Sequence, residues 1–195
     1  VEDKLKCDFG YVQCEPPYSK KDEHIGRMAY FIPGGYENGS VYNHGVAFKI
    51  AADCKLGHAD LAYETLKLIS YDNPKNDNSG VEPYVVTNMY LGPQEPNRPG
   101  FSFYSWITGT AGWIYRDVTE FMLGVGGEWT GLKIKPCLPS AWNEATVSRV
   151  YRGATYNISF KRTGSYKLIV DGNAIDGCIA PVFPEGSVHT VVCEF

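Results

Sequence analysis

The residues Ser105-Trp106-Ile107-Thr108-Gly109-Thr110-Ala111-Gly112-Trp113 set a small, hydroxyl-rich, glycine-punctuated turn directly before an apolar helical pattern. The first backbone N–H groups of a helix have no internal partner and carry partial positive charge. Such a turn therefore binds an anion, and phosphate suits it. The same Ser and Thr residues also serve as an N-cap that stabilises its own helix and binds nothing. The turn alone does not choose between these readings.

A second cluster runs Pro33-Gly34-Gly35-Tyr36-Glu37-Asn38-Gly39-Ser40-Val41-Tyr42-Asn43-His44. Two glycine-rich turns flank the acid–amide pair Glu37-Asn38, and His44 then opens a helix. A histidine donates a hydrogen bond to an anion and adds charge when protonated. A loop dense in Gly, Asn and Tyr suits a sugar, because aromatic faces stack on pyranose rings and amides read hydroxyls; a structural turn capped by Asn or His is the competing reading. In the third cluster, Gly80-Val81-Glu82-Pro83-Tyr84 leads to Asn88-Met89-Tyr90. Glu82 is there either a ligand or acid, or a first-turn carboxylate that favours a helix dipole.

Other chemistries lack their signatures. The sequence has no nucleophile elbow, P-loop, zincin motif or dinucleotide fingerprint. Glu37 and Glu82 are the best-placed acids, but linear sequence gives no separation with which to pair them for glycoside hydrolysis. The histidines His24, His44, His58 and His189 have no metal-ligand spacing among themselves or with cysteines, so no metal is expected. Cys7, Cys14, Cys54, Cys137, Cys178 and Cys193 contain no C-x-x-C pair and read as mostly reduced thiols of a cytoplasmic protein.

The elements that must position these clusters fall into two halves. Residues 44–70 read as two helices: Val46, Ile50 and Cys54 repeat at i, i+4, i+8, Gly57 supplies a left-handed stop, and Leu61, Thr65 and Leu68 with Ala62, Leu66 and Ile69 make a second stripe. The short link makes them an antiparallel αα-hairpin. A third helix is expected after Thr108, with Ile114, Val118, Phe121 and Met122 on one face. Between them, Pro83 to Leu91 is either a further helix or a strand. After about Trp129 the period becomes two. Strands are expected over Thr155–Phe160, where Tyr156, Ile158 and Phe160 alternate inward, over Tyr166–Val170 before the turn Asp171-Gly172-Asn173, and over Val188–Phe195. The organisation is α then β, with a boundary near 126–132.

A chain of 195 residues with 44% hydrophobic and 14% aromatic content packs a real core, which excludes disorder. Its 22 acidic against 18 basic residues, net charge −4, argue against nucleic acid or an anionic membrane surface as the main partner. No apolar run approaches the roughly 18 residues that cross a bilayer, and no secretion signal opens the chain. It begins Val1-Glu2-Asp3-Lys4 without Met and reads as a piece of something longer.

Taken together, the motifs resemble glycoside hydrolase family 94, which includes cellobiose, cellodextrin, laminaribiose and N,N'-diacetylchitobiose phosphorylases. Tyr36-Glu37-Asn38-Gly39 running to His44, then Glu82-Pro83-Tyr84, then Ser105 to Ala111 recur in order over about Tyr11 to Ala154. Gly131-Leu132-Lys133-Ile134-Lys135-Pro136-Cys137-Leu138-Pro139 also looks like that family's entry into a C-terminal β domain. The resemblance implies the closing helices of an (α/α)6 catalytic barrel over residues 1–128, followed by a small jelly-roll-like antiparallel β domain over 129–195.

The chemistry so implied is inverting phosphorolysis of a β-linked disaccharide. Inorganic phosphate, a co-substrate and not a cofactor, takes the place of activated water. It attacks the anomeric carbon while a protonated Asp gives its proton to the glycosidic oxygen. By resemblance, His44, Thr108 and the backbone N–H of Gly109 hold phosphate. Asn88 falls near the reacting sugar, and the Arg27–Tyr36 loop with Glu37 and Glu82 lines the sugar sites. Tyr36 stands where cellobiose-specific members often carry Lys, which leans toward chitobiose or another disaccharide. The family's general-acid Asp belongs to an Asp-Trp-Asn-Asp-like motif upstream that is absent from this sequence. The chain alone is therefore expected to be inactive, with no catalytic acid of its own; Asp53 and Asp117 read as surface or structural mid-helix residues. The resemblance also allows a homodimer and implies an N-terminal remainder of the same enzyme. Two other readings compete: a carbohydrate-binding module with Trp142, Tyr151 and Tyr156 as a stacking platform, and a water-using hydrolase of similar barrel type.

Overall fold

A computed structural model describes every residue except Glu23 and Trp106, so the Trp of the Ser105–Trp113 motif lies outside the described residues. The chain divides into two compact units, Val1–Ala52 with Leu61–Tyr115, and Asp53–Asp60 with Arg116–Phe195.

The first unit opens on a single turn α1 (Glu2–Leu5) and the small hairpin β1 (Lys6–Cys7) and β2 (Gly10–Tyr11). After a 3₁₀ turn at Gly26–Tyr30 come β3 (Val41–Tyr42), α2 (Asn43–Leu56) and α3 (Ala59–Ile69). The expected αα pair is present. Val46, Ala47 and Ile50 are buried on α2, as are Ala62, Thr65 and Ile69 on α3. Across the pair, the Lys49 ammonium donates to Thr65 Oγ1 at 3.2 Å, and that hydroxyl donates back to Leu61 O at 2.8 Å. The end of α2 is a Schellman motif. Gly57 sits at φ +81° with its N–H on Cys54 O, and the next N–H, of His58, reaches back to Asp53 O.

The Pro83–Leu91 segment resolves into a turn and a short strand. Pro83 precedes Tyr84 at φ +64°, a conformation no helix accepts, and β4 (Met89–Tyr90) follows. β4 lies between β3 and β5 (Ser102–Phe103) in an antiparallel sheet. The third helix, α4 (Thr110–Arg116), begins just after Thr108, as the pattern suggests. Its first internal bond, Trp113 N–H to Gly109 O at 2.9 Å, makes Gly109 the residue before the helix. Past Arg116 the winding opens into a π-helix over Asp117–Met122, closed by Leu123 N–H on Val118 O, five residues back.

The second unit is a pair of β-sheets around one core. β6 (Val125–Glu128) and β7 (Gly131–Ile134) form a hairpin, so the 128/129 change of period falls in its turn. The following strands are β8 (Glu144–Tyr151), β9 (Ala154–Lys161), β10 (Lys167–Val170), β11 (Asn173–Ile175), β12 (Ile179–Ala180) and β13 (Val188–Glu194). One sheet has the order β12-β7-β6, the other β11-β10-β13-β9-β8. All pairs are antiparallel except β9 with β13. Leu132 and Ile134 from one sheet meet Tyr156, Ile158, Phe160, Leu168 and Val191 from the other, every one at 1% exposure or less. The turns Arg152-Gly153 and Asp171-Gly172 have both φ values positive, the geometry that matches strand twist in a two-residue hairpin.

Among the described residues no helix is long and apolar enough to cross a membrane. No group of three or more His, Cys, Asp or Glu among them is arranged to hold a metal ion.

Candidate functional site

Asn43 and His44, the first residues of α2, assemble a site in the first unit. Asn43 N–H donates to Asn88 O at 2.9 Å, and its buried carboxamide donates to Thr87 O at 3.1 Å. The helix start is thereby pinned to Thr87 and Asn88, just before β4. His44 then stands between Tyr42, whose hydroxyl is 3.3 Å from Nδ1, and the ring of Phe48 at 5.0 Å. Phe48 in turn meets Trp113 edge-on at 4.7 Å. The Tyr42 hydroxyl donates to Nδ1 when the ring proton is on Nε2 and accepts from it in the other tautomer.

That Nε2 is buried and has no hydrogen-bond partner among the described residues. It faces Gly109: a β-carbon there would lie 2.9 Å from Nε2 and 3.1 Å from Cε1. Thr108 Oγ1 donates to Asn88 Oδ1 and lies 3.0 Å from Thr110 Oγ1. Val86, Asn88, Thr108, Thr110 and Ala111 enclose a cavity of about 50 Å³. A buried ring nitrogen without a partner costs free energy, and Gly109, whose neighbours Thr108 and Thr110 carry hydroxyls, lies against it. The arrangement is one that a small anion would complete.

The remaining candidates distribute around it. Asn88 is 3% exposed and holds Thr108, its own N–H bonded to Tyr104 O at 2.7 Å. Glu82 is exposed; its own N–H and then the Ser105 hydroxyl hold its carboxyl below the usual range, which ties it to the Ser105 turn. Tyr36 sits at φ +48° with its ring 5.1 Å from Phe31, 5.7 Å from Phe103 and 6.3 Å from Tyr104. The hydrogen bond that its hydroxyl donates to Tyr104 pushes its phenol up. Arg27 and Glu37 pair loosely with each other at 3.9 Å on the exposed loop. Asn38, by contrast, is wholly used inside the protein, bonded to Tyr18 and Phe31.

Sequence reading missed Tyr104 and Asn43. Tyr104 joins the two parts of the site: its carbonyl holds Asn88 and its side chain meets Tyr36. Its φ of +61° is the structural mark, and a tyrosine gives no sequence signal for left-handed backbone.

Two other constellations in the second unit fail on geometry. Asp171 Oδ2, His189 and Ser187 line up at 2.6 Å and 2.8 Å, like a hydrolytic triad. However, the Ser187 hydroxyl donates to Pro184 O at 2.5 Å. The nearby Ser187 and Gly186 N–H groups are bonded to Pro184 O and Gly153 O, which leaves neither as an oxyanion donor. It is a structural latch, in which the His189 bond holds the Asp171 carboxyl low. The aromatic platform also loses its centre, since Tyr156 is 0% exposed and its hydroxyl donates to Pro181 O.

Comparison with known proteins gives the family of the chain. Residues 1–124 match the family described as glycosyl hydrolase 94 superfamily, catalytic domain. The chain is 42% identical to a solabiose phosphorylase of Paenibacillus borealis, over 98% of this chain and 26% of that protein. It is 38% identical to a 3-O-beta-D-glucopyranosyl-beta-D-glucuronide phosphorylase of the same organism, over 88% and 23%. It is 33% identical to an N,N'-diacetylchitobiose phosphorylase of Vibrio proteolyticus, over 98% and 25%. The chain thus spans about a quarter of the length of these relatives. With the family model covering most of its residues, the chain belongs to the glycosyl hydrolase 94 superfamily.

Proposed function

We propose that this chain is part of an inverting phosphorylase that cleaves a β-linked disaccharide with inorganic phosphate, giving an α-sugar-1-phosphate and a free sugar. The observation that carries the reading is the buried, unpartnered His44 Nε2 over Gly109. In this reading His44, Thr108 and the Gly109 N–H hold phosphate in line with the anomeric carbon. Catalysis is then largely a matter of positioning. Phosphate is already an anion and needs no general base. α2, α3 and α4 are closing helices of an (α/α)6 barrel, with the β domain after them.

The proton donor comes from outside residues 1–195. Glu82, the carboxyl nearest the Ser105 turn, is kept ionised by its own N–H and Ser105, the wrong form for a general acid. Asp117 has a carboxyl that burial pushes up to about 7, but it is fully enclosed and meets no substrate. The sugar sites use the Tyr36 loop with Arg27, Glu37 and Asn88, and Tyr36 in place of Lys favours a disaccharide other than cellobiose.

The test is phosphate release from α-sugar-1-phosphates with glucose or N-acetylglucosamine as acceptor. The isolated chain is expected to release none, and the longer enzyme that carries it is expected to release phosphate. Turnover by residues 1–195 alone would overturn the placement of the acid. Disaccharide cleavage by the longer enzyme at equal rates with and without phosphate would overturn the phosphorylase reading.

A further inference from the structure

One buried polar side chain next to the groups read as phosphate ligands is not itself among them. Thr110 is the first residue of α4 and is 2% exposed. Its hydroxyl lies 3.0 Å from Thr108 Oγ1, and Thr108 Oγ1 is bonded in turn to Asn88 Oδ1. The three side chains line one small cavity with Val86 and Ala111.

The direction of this chain of bonds follows from its far end. A carboxamide oxygen only accepts, and a hydroxyl has a single proton to give. Thr108 therefore spends its proton on Asn88, and the bond between the two threonines is donated by Thr110. Both ends of the chain are held by backbone bonds. Asn88 N–H donates to Tyr104 O at 2.7 Å, and Asn88 O accepts from Asn43 N–H at 2.9 Å. Thr110 belongs to the helix whose first bond runs from Trp113 N–H to Gly109 O. Thr108 itself lies in a turn between exposed Ile107 and Gly109, with its hydroxyl clamped by the two buried groups.

We propose that Thr110 is a positioning residue for phosphate, acting through Thr108; this rests on the phosphorylase reading above. With its proton on Asn88, Thr108 has none to give to an anion. When phosphate enters, that proton turns from Asn88 Oδ1 to a phosphate oxygen. The bond from Thr110 holds Thr108 Oγ1 in place while the proton turns, and no covalent bond forms or breaks. A hydroxyl that accepts a hydrogen bond also donates a stronger one, so Thr110 improves the donor as well as placing it. Without the Thr110 hydroxyl, Thr108 keeps one anchor, and its side chain is freer to leave the rotamer that faces the anion. Phosphate binding then weakens, while the sugar sites on the Tyr36 loop keep their own contacts.

The experiment is steady-state phosphorolysis by the longer enzyme that carries this chain, with phosphate and disaccharide varied separately. The disaccharide is the product of the sugar-1-phosphate and acceptor pair that releases phosphate in the test above. Thr110→Val keeps the shape and removes the hydroxyl; it should raise the phosphate KM on the order of tenfold. The disaccharide KM should stay within about twofold, a split that a general loss of packing would not give. Thr110→Ser, which keeps the hydroxyl, should bring the phosphate KM back to within about threefold of the unmutated enzyme. Thr110→Ala carries the same expectation as the valine variant should that one not fold. An unchanged phosphate KM without the hydroxyl, an equal rise in both KM values, or a serine variant as impaired as the valine one would overturn the proposal. Phosphate-independent cleavage by the unmutated enzyme would instead overturn the reading on which it rests.

Discussion

A β-carbon at position 109 would press on His44 Nε2 at 2.9 Å, and the ring is fixed between Tyr42 and Phe48. Gly109→Ala should therefore move the imidazole and raise KM for phosphate in the enzyme carrying this chain, on the order of 100-fold. Circular dichroism should be unchanged; a normal phosphate KM in that variant would remove Gly109 from the site. Asp117 tests burial instead. Both its oxygens are buried without a hydrogen bond among the described residues, and desolvation raises its carboxyl to about 7 against the opposing pull of Arg116. The folded state thus holds the proton more tightly than the unfolded chain. The associated stability is complete below about pH 4 and is lost as pH rises through about 7. Asp117→Asn should be nearly neutral at pH 4 and stabilising at pH 8, by at most about 4 kcal/mol, as read by urea denaturation at the two pH values. At this scale residue type singled out the Ser105–Trp113 turn and His44 as candidates. It did not reveal Asn88 bonding Thr108, or Tyr104 joining the two parts of the site, because a left-handed tyrosine and a through-space hydrogen bond leave no periodic trace.

The helix pair illustrates where pattern suffices. Spacing at i and i+4 found the buried faces of α2 and α3, and a single glycine marked where α2 stops. Gly57 is at φ +81° with open space around its α-carbon, so Gly57→Ala carries a backbone cost and no steric one. The variant should lose about 1 kcal/mol in a urea titration. Pattern did not suffice for α4, whose apolar stripe continues past Arg116 while the winding changes to π; side-chain spacing near four residues fits either helix. It also missed β8, an edge strand with exposed Glu144, Thr146, Ser148 and Val150 on one side and Arg149 among the inward positions. A half-wet edge with a charged residue inside has no clean alternation. β9, buried at Ala154, Tyr156, Ile158 and Phe160, had one and was found.

At the scale of the whole molecule, the α-then-β order was legible because the period changes, whereas the assignment of Asp53–Asp60 to the second compact unit was not. That grouping depends on bonds such as Ser140 N–H to Asp60, which join residues 80 apart. Within that unit β13 is hydrogen-bonded on both sides, parallel to β9 and antiparallel to β10. A chain ending at Ser187 should lose the cooperative unfolding transition of the sandwich, followed by near-ultraviolet circular dichroism; retention of the transition would show that β9 and β10 can pair without it. The same placement has a kinetic consequence. β9 and β10 leave the ribosome before the strand that must separate them, so each waits with an unpaired edge, and the pairing that completes the sheet closes a long loop in the parallel sense. Closure of that loop is the expected slow step of refolding, and the interval before it is when the apolar β9 edge is open to pairing with another copy.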